Sequence, residues 1–328
     1  MLAARLYSAF NLKVEEVEQP RLPEGWALVK SVAVGVCGTD KAFYSGTYQL
    51  FKSPIVLGHE VTGVVEEGPS DLVGELVVSE INFPCWKCSF CRSGLYTHCS
   101  SKKTLGIDYD GGLAEYFVAP VEALHKVGGI NPVDAVEVEP LAAVLNALTI
   151  APPPPGSKAA VIGSGNVAIL TSQVLKLAGV DHVVVVREDS PKAKYFNALG
   201  VGTVTVEELK ARTGGRLGDQ GFDVVFECSG NPSAIDLAIA ITRPRGVIHL
   251  KSTPGLPFTV DLTRAVVKEL KIVGSRCGSF KEFKVAIELL EKGVVKPVIT
   301  SVFDGVDSVE EALRRSFDRS EVKVVVRL

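Results

Sequence analysis

Methionine occurs once in the 328 residues, at the initiator, and glutamine only at Gln19, Gln49, Gln173 and Gln220. Both types are thermolabile, so their scarcity fits a heat-adapted composition. Charge of one sign is also lacking. Lysine and arginine total 35 against 38 for aspartate and glutamate, a net −3, so the electrostatic footprint of a nucleic-acid binder or membrane-surface protein is missing. No stretch approaches the roughly 18 consecutive apolar residues that span a bilayer. Met1 to Val14 carries Arg5 and Lys13 around short apolar pieces instead of one signal-peptide core. The expectation is a soluble, cytoplasmic protein with a small-molecule partner, and neither nucleic acid nor membrane. What is present is core-forming material: 46% hydrophobic and 22% charged residues, enough at this length for two domains.

Local patterning divides the chain. The first ~150 residues read as short β segments between Gly and Pro, among them Trp26 to Val34, Glu60 to Glu66, Glu75 to Ser79 and Ala114 to Val118. The run Pro152 to Pro155 followed by Gly156 cannot continue a helix and marks a junction. Beyond it strands and helices alternate: Ala159 to Ile162, Val167 to Ala178, Val183 to Val186, Pro191 to Leu199, Val224 to Glu227, Ser233 to Ala240, Val247 to Leu250. That alternation predicts a doubly wound parallel sheet with helices on both faces, an α/β fold. Lys271 to Gly274 reads as a further strand, Phe280 to Lys292 as a helix, and the last ~35 residues return to β character, closing with Val322 to Val326.

Cysteine is unevenly used. Cys85, Cys88, Cys91 and Cys99 crowd one segment, leaving Cys37, Cys228 and Cys277 elsewhere. The short spacings let one loop wrap four thiolates tetrahedrally around a single Zn²⁺, and four thiolates leave no open position, which defines a structural site. An iron–sulfur cluster is the competing reading. His98 reads as a loop residue, and the nearby Lys87, Arg92, Lys102 and Lys103 are too few for a nucleic-acid-binding zinc ribbon.

Six elements in one order carry a resemblance: Cys37-Gly38-Thr39-Asp40, Gly58-His59-Glu60, the cysteine knuckle, Asp110 to Tyr116, Glu139-Pro140 and a glycine-rich loop at Gly163. Together they resemble the zinc-dependent alcohol dehydrogenases of the medium-chain dehydrogenase/reductase superfamily. The resemblance implies a β-rich, GroES-like catalytic domain over residues 1–146 and 279–328, with a Rossmann dinucleotide-binding domain inserted at 147–278. It implies two zincs per chain, one structural and one catalytic, the latter held by Cys37, His59 and Glu139. Mixed S, N and O ligands leave a fourth position for a substrate oxygen, where zinc acts as a Lewis acid. Glu60 is expected to visit the metal or orient a ligand, and Thr39 to act as a proton-relay hydroxyl. Ala42 stands where many relatives carry a relay histidine, a departure that leaves the outer relay open. The bland reading of Glu139 is an acid in a helix first turn. Phe43, Tyr44, Tyr48 and Leu50 read as either an apolar cleft lining or core. A homodimer or homotetramer is expected by analogy alone.

The loop Gly163-Ser164-Gly165-Asn166-Val167-Ala168 fits G-x-G-x-x-A between a strand and a helix. Gly163 permits the tight turn, Gly165 lets pyrophosphate approach the backbone N–H groups, and Ala168 allows close helix–strand packing. By resemblance Ser229, Gly230, Ser252 and Cys277 also fall near the cofactor. Where NAD sites carry an acid, counting back from Ala198-Leu199-Gly200 puts Arg187, with Lys192 able to add charge. A guanidinium there pairs bidentately with a 2′-phosphate, so NADP(H) is expected over NAD(H). If the turn slides by one residue, Glu188 takes the NAD role. The function expected is hydride transfer between an alcohol or carbonyl substrate and NADP(H). Glu139-Pro140 keeps a sugar or polyol dehydrogenase open. A non-catalytic zinc- and nucleotide-binding protein is the reading from a different class.

Overall fold

The structure is a computed structural model and describes residues 1–212 and 221–328. It divides into two units, Met1–Ala142 with Cys277–Leu328, and the intervening Ala143–Arg276. The first division falls inside the continuous helix Val138–Ile150, where no turn residue signals it. The boundaries expected at 146/147 and 278/279 lie a few residues later, and Cys277 therefore sits in the first unit.

The spine of the first unit is the strand Trp26–Gly35, which is buried along almost its whole length because it has neighbours on both edges. Its first half pairs antiparallel with Tyr116–Pro120, most of its length with Glu60–Glu67, and its last residues with the carboxyl-terminal strand Lys323–Arg327. These strands belong to a seven-stranded sheet; a three-stranded sheet joins Leu2–Ser8 to Asn11–Glu16 and Ile55–Val56. Leu6, Val29, Val34, Leu57, Val61, Leu113 and Phe117 meet in the core with Leu313 from the helix Val309–Arg315. That helix lies in the stretch read as β. The helix Val138–Ile150 was signalled only by the reading of Glu139 as an acid in a first turn, since VEPLAAVLNALTI is apolar almost all round and lacks the amphipathic alternation that marks a surface helix.

Strand register brings two distant turns together. Gly35 lies opposite Glu60 on one side and Val325 on the other. Cys37 follows the end of one strand and His59 precedes the start of its antiparallel neighbour, so the two side chains are delivered to the same edge. A Cβ at Gly35 would sit 2.5 Å from Glu60 Oε2, so only glycine leaves room for that carboxylate.

The second unit is a six-stranded, wholly parallel sheet. Its strands, in chain order Lys158–Ile162, Asp181–Val185, Gly202–Val204, Phe222–Glu227, Thr242–Leu250 and Lys271–Gly274, lie side by side in the order 3-2-1-4-5-6. This is the Rossmann order, with its switch point between the first and fourth strands. Among the described residues no helix is long and apolar enough to cross a membrane.

Candidate active site

The cysteine knuckle is built locally. Cys88 caps the short helix Ser89–Arg92, Cys91 lies within it, and a 3₁₀ turn, Tyr96–His98, delivers Cys99. The four donor sulfurs all lie within 4.8 Å of one another, with Cys88 and Cys91 Sγ 3.5 Å apart. The Lys87 and Cys88 backbone N–H groups lower the Cys85 thiol to about 6, whereas burial raises that of Cys91 to about 12. His98 is exposed and turned to Thr97 Oγ1 at 3.1 Å. The donor set and its closure fit a structural zinc.

The second constellation draws on three distant stretches. Cys37 caps the helix Gly38–Ser45, and its N–H donates to Asp40 Oδ2 at 2.9 Å. The other Asp40 oxygen accepts from Gly58 N–H at 3.3 Å and lies 3.7 Å from His59 Nδ1. One fully buried carboxylate thus ties the Cys37 turn to the His59 turn. Burial disfavours the charged imidazole, yet Asp40, Cys37 and Glu139 together hold the His59 pKa well above the ordinary histidine value. Burial pushes the Cys37 thiol up, Glu60 adds to this, and His59 opposes it. His59 Nδ1 is a buried polar atom without a hydrogen-bond partner. Glu139 is buried in the first turn of its helix. An anionic surplus around one imidazole, with sulfur, nitrogen and oxygen donors, suits a divalent cation. Cys37, His59 and Glu139 are gathered more loosely than the knuckle. Among the described residues the four cysteines are the one set of three or more donors within 4.8 Å.

One partner of this cluster went unread in the sequence. Lys323, on the carboxyl-terminal strand, reaches Glu60 Oε2 and lies 3.9 Å from Glu137 Oε1, all three side chains being buried. Burial lowers its pKa, but Glu60 and Glu137 more than reverse this. The signal was a lysine inside the otherwise apolar run VKVVV. Thr39 is half-buried, and its hydroxyl has no hydrogen-bond partner among the described residues. Phe43 and Tyr44 are core, the Tyr44 hydroxyl donating to Glu310 at 2.8 Å, while Tyr48 and Leu50 pack against that core partly exposed.

In the second unit Gly163 has φ +120°, and a Cβ on it would come within 3.0 Å of the Cys228 backbone and Ser229 Cα. Gly165 caps the twelve-residue helix Asn166–Leu177 without a side-chain bond. The N–H groups of that first turn, including Val167, form a ready anion site. Ser190 Oγ donates to Ser164 Oγ at 3.2 Å, joining this loop to the turn after the second strand. On that turn Arg187 is exposed, its carbonyl accepts from Ser190 N–H at 3.2 Å, and its guanidinium has neither ion pair nor hydrogen bond among the described residues, while Lys192 caps the next short helix. Ser229 and Ser252 both donate their hydroxyls to Glu227, and Gly230 takes the left-handed φ of +72°. Cys277 is buried in the first unit, where Asn82 Nδ2 contacts its sulfur at 2.9 Å.

A Rossmann sheet inserted in a β-rich unit that carries a closed cysteine knuckle is the architecture of a zinc- and dinucleotide-dependent dehydrogenase. Residues 23–129 match the alcohol dehydrogenase GroES-like domain and residues 167–292 the zinc-binding dehydrogenase family. The chain is 31% identical to L-threonine 3-dehydrogenase of Bacillus velezensis over 313 residues, 89% of each chain. It is 32% identical to sorbitol dehydrogenase of Halalkalibacterium halodurans over 86% of this chain and 85% of that one. Among solved structures, a zinc-binding dehydrogenase of Sinorhizobium meliloti bound to NADP superposes with a TM-score of 0.88 at 27% identity, covering 100% and 99% of the two chains. A protein of Escherichia coli described as a short chain alcohol dehydrogenase, complexed with NADH, gives 0.89 at 28% over the same shares. The chain belongs to the zinc-dependent medium-chain dehydrogenase/reductase superfamily.

Proposed function

We propose that this dehydrogenase transfers hydride between an alcohol or carbonyl substrate and NADP(H), with Cys37, His59 and Glu139 as the catalytic metal ligands. The observation that carries the reading is the open S, N, O donor set around the orphaned His59 nitrogen, beside a threonine whose hydroxyl has no protein partner. When bound, zinc supplies Lewis acidity toward the substrate oxygen and the dinucleotide carries the hydride. The chain's own residues do the rest. Asp40 fixes the Cys37 and His59 turns. Lys323 holds Glu60 beneath them. Thr39 Oγ1 holds the substrate proton and passes it to water, since Ala42 offers no titratable group. Backbone N–H groups from Gly165 to Val167 bind the pyrophosphate.

The unpaired Arg187 supports NADP(H), because a free, exposed guanidinium at the end of the second strand suits a 2′-phosphate. Arg187→Asp should shift the ratio of kcat/KM for NADP over NAD by about a hundredfold toward NAD. A wild-type preference for NAD, or no shift in the variant, sinks the assignment. Glu139-Pro140 and the likeness to sorbitol dehydrogenase support a polyol substrate as a second reading. Spectrophotometric screens of simple alcohols, polyols, aldehydes and ketones with the zinc-loaded protein, alongside metal analysis, decide between them. Two zincs with turnover support the enzyme; one zinc without turnover supports a nucleotide binder. The exposed Val266 and Val267 of the helix Thr263–Val267, and the exposed Ile272 within the edge strand Lys271–Gly274, support a homo-oligomer, which sedimentation tests.

A further inference from the structure

Glu227 is among the most buried acids of the second unit, with 1% of its surface exposed. It ends the fourth strand at the switch point, in register with Ile162 and Leu250, the last residues of the strands on either side. In doubly wound sheets ligands bind just beyond such carboxyl ends. Burying an acid costs free energy unless donors surround it, and here they do. One oxygen accepts from the N–H and the hydroxyl of Ser229 at 2.7 and 2.6 Å, and the other accepts from the hydroxyl of Ser252. The backbone repeats the link, Lys251 N–H donating to the Glu227 carbonyl at 2.9 Å. Ser229 Oγ in turn accepts from Asn231 N–H at 3.1 Å. The turn so fixed lies against Gly163 so closely that a Cβ there would have no room. A single carboxylate therefore staples together the turn after the fourth strand and the loop after the fifth.

We infer that Glu227 is a positioning residue for the cofactor, holding the backbone of Ser229-Gly230 and Ser252 where the nicotinamide half binds. The inference rests on the dinucleotide reading of this unit. The assignment to that half comes from the fold. The glycine loop and the second strand, which ends near Arg187, belong to the mononucleotide unit that takes the pyrophosphate and adenosine, leaving the fourth and fifth strands to the other nucleotide. The hydroxyl protons of Ser229 and Ser252 are committed to Glu227, so these serines serve the cofactor through their backbone.

The test compares a whole cofactor with the fragment that lacks nicotinamide, by calorimetric titration of NADPH and of adenosine 2′,5′-bisphosphate onto the full-length, zinc-loaded protein. Glu227→Ala and the double variant Ser229→Ala/Ser252→Ala should each weaken NADPH by about tenfold, as misplaced contacts do, and leave the fragment within about twofold. The double variant leaves Glu227 in place and keeps the test alive if Glu227→Ala does not fold. Unchanged NADPH affinity in either folded variant overturns the inference, as does parallel weakening of both ligands, which is what mere loss of structure would produce. If the wild type prefers NADH, NADH and AMP replace the pair and the comparison stands although the Arg187 reading has failed. A wild type that binds neither dinucleotide removes the cofactor reading and this inference with it.

Discussion

The cysteine knuckle and the proposed catalytic centre of the first unit are made in opposite ways. The knuckle takes its four donors from fifteen consecutive residues, Cys85 to Cys99, and gathers them within 4.8 Å. The site proposed at Cys37, His59 and Glu139 takes its donors from a strand end, a strand start and the first turn of a helix, with Asp40 tying the first two and the Lys323–Glu60 pair beside them. A zinc in the first would have every coordination position filled by protein; in the second, as proposed, one position stays open for substrate. A closed site made locally adds to stability, whereas an open one made from distant pieces depends on the fold for its geometry and gives reactivity in return.

That contrast is sharpest at His59. His59→Ala should reduce turnover by at least about ten-thousandfold, while NADPH affinity, measured by fluorescence titration, stays near the wild-type value; near-normal turnover would abolish the distinction between the regions. Thr39 comes next. Removing a proton-handling hydroxyl costs about a hundredfold or more, so Thr39→Val should fall that far in kcat, with Thr39→Ser retaining most activity; equal rates for the two would remove Thr39 from the reaction. Cys88→Ser should act on stability instead, lowering the melting temperature by about ten degrees or more through loss of a structural metal while the specific activity of the folded fraction holds. An inactive but fully stable variant would erase the proposed division of labour. The smallest effect is one of timing. Under mild chelation activity should disappear while melting temperature is still unchanged, and the reverse order, monitored by metal analysis and calorimetry, would assign the weaker site to the knuckle.

The knuckle and the glycine loop were legible in the sequence because their chemistry is written in adjacent residues. Cys37 and His59 were legible only through resemblance, since what joins them is the register of two antiparallel strands. Lys323 and Glu227 were invisible for a further reason: each is a charged residue in an apolar strand whose partners come from elsewhere in the chain, Glu60 in one case and Ser252 in the other. Of the helix bearing Glu139 only the first turn was legible, because a helix apolar almost all round has no polar face to reveal its period. The Rossmann alternation, by contrast, came through with strand ends displaced by only a residue or two, as with Val183 to Val186, observed as Asp181–Val185.

The insertion of one unit within the other also orders events in time. The nucleotide-binding unit is a continuous piece of chain, Ala143–Arg276, and can assemble as soon as it is synthesised. The first unit cannot, because the strand Lys323–Arg327 must arrive to pair with Ala33 to Gly35 and to bring Lys323 to Glu60. A nascent polypeptide therefore acquires its nucleotide-binding half first, and the buried Glu60 and Glu137 gain their counter-ion only once the strand Lys323–Arg327 has been made and docked.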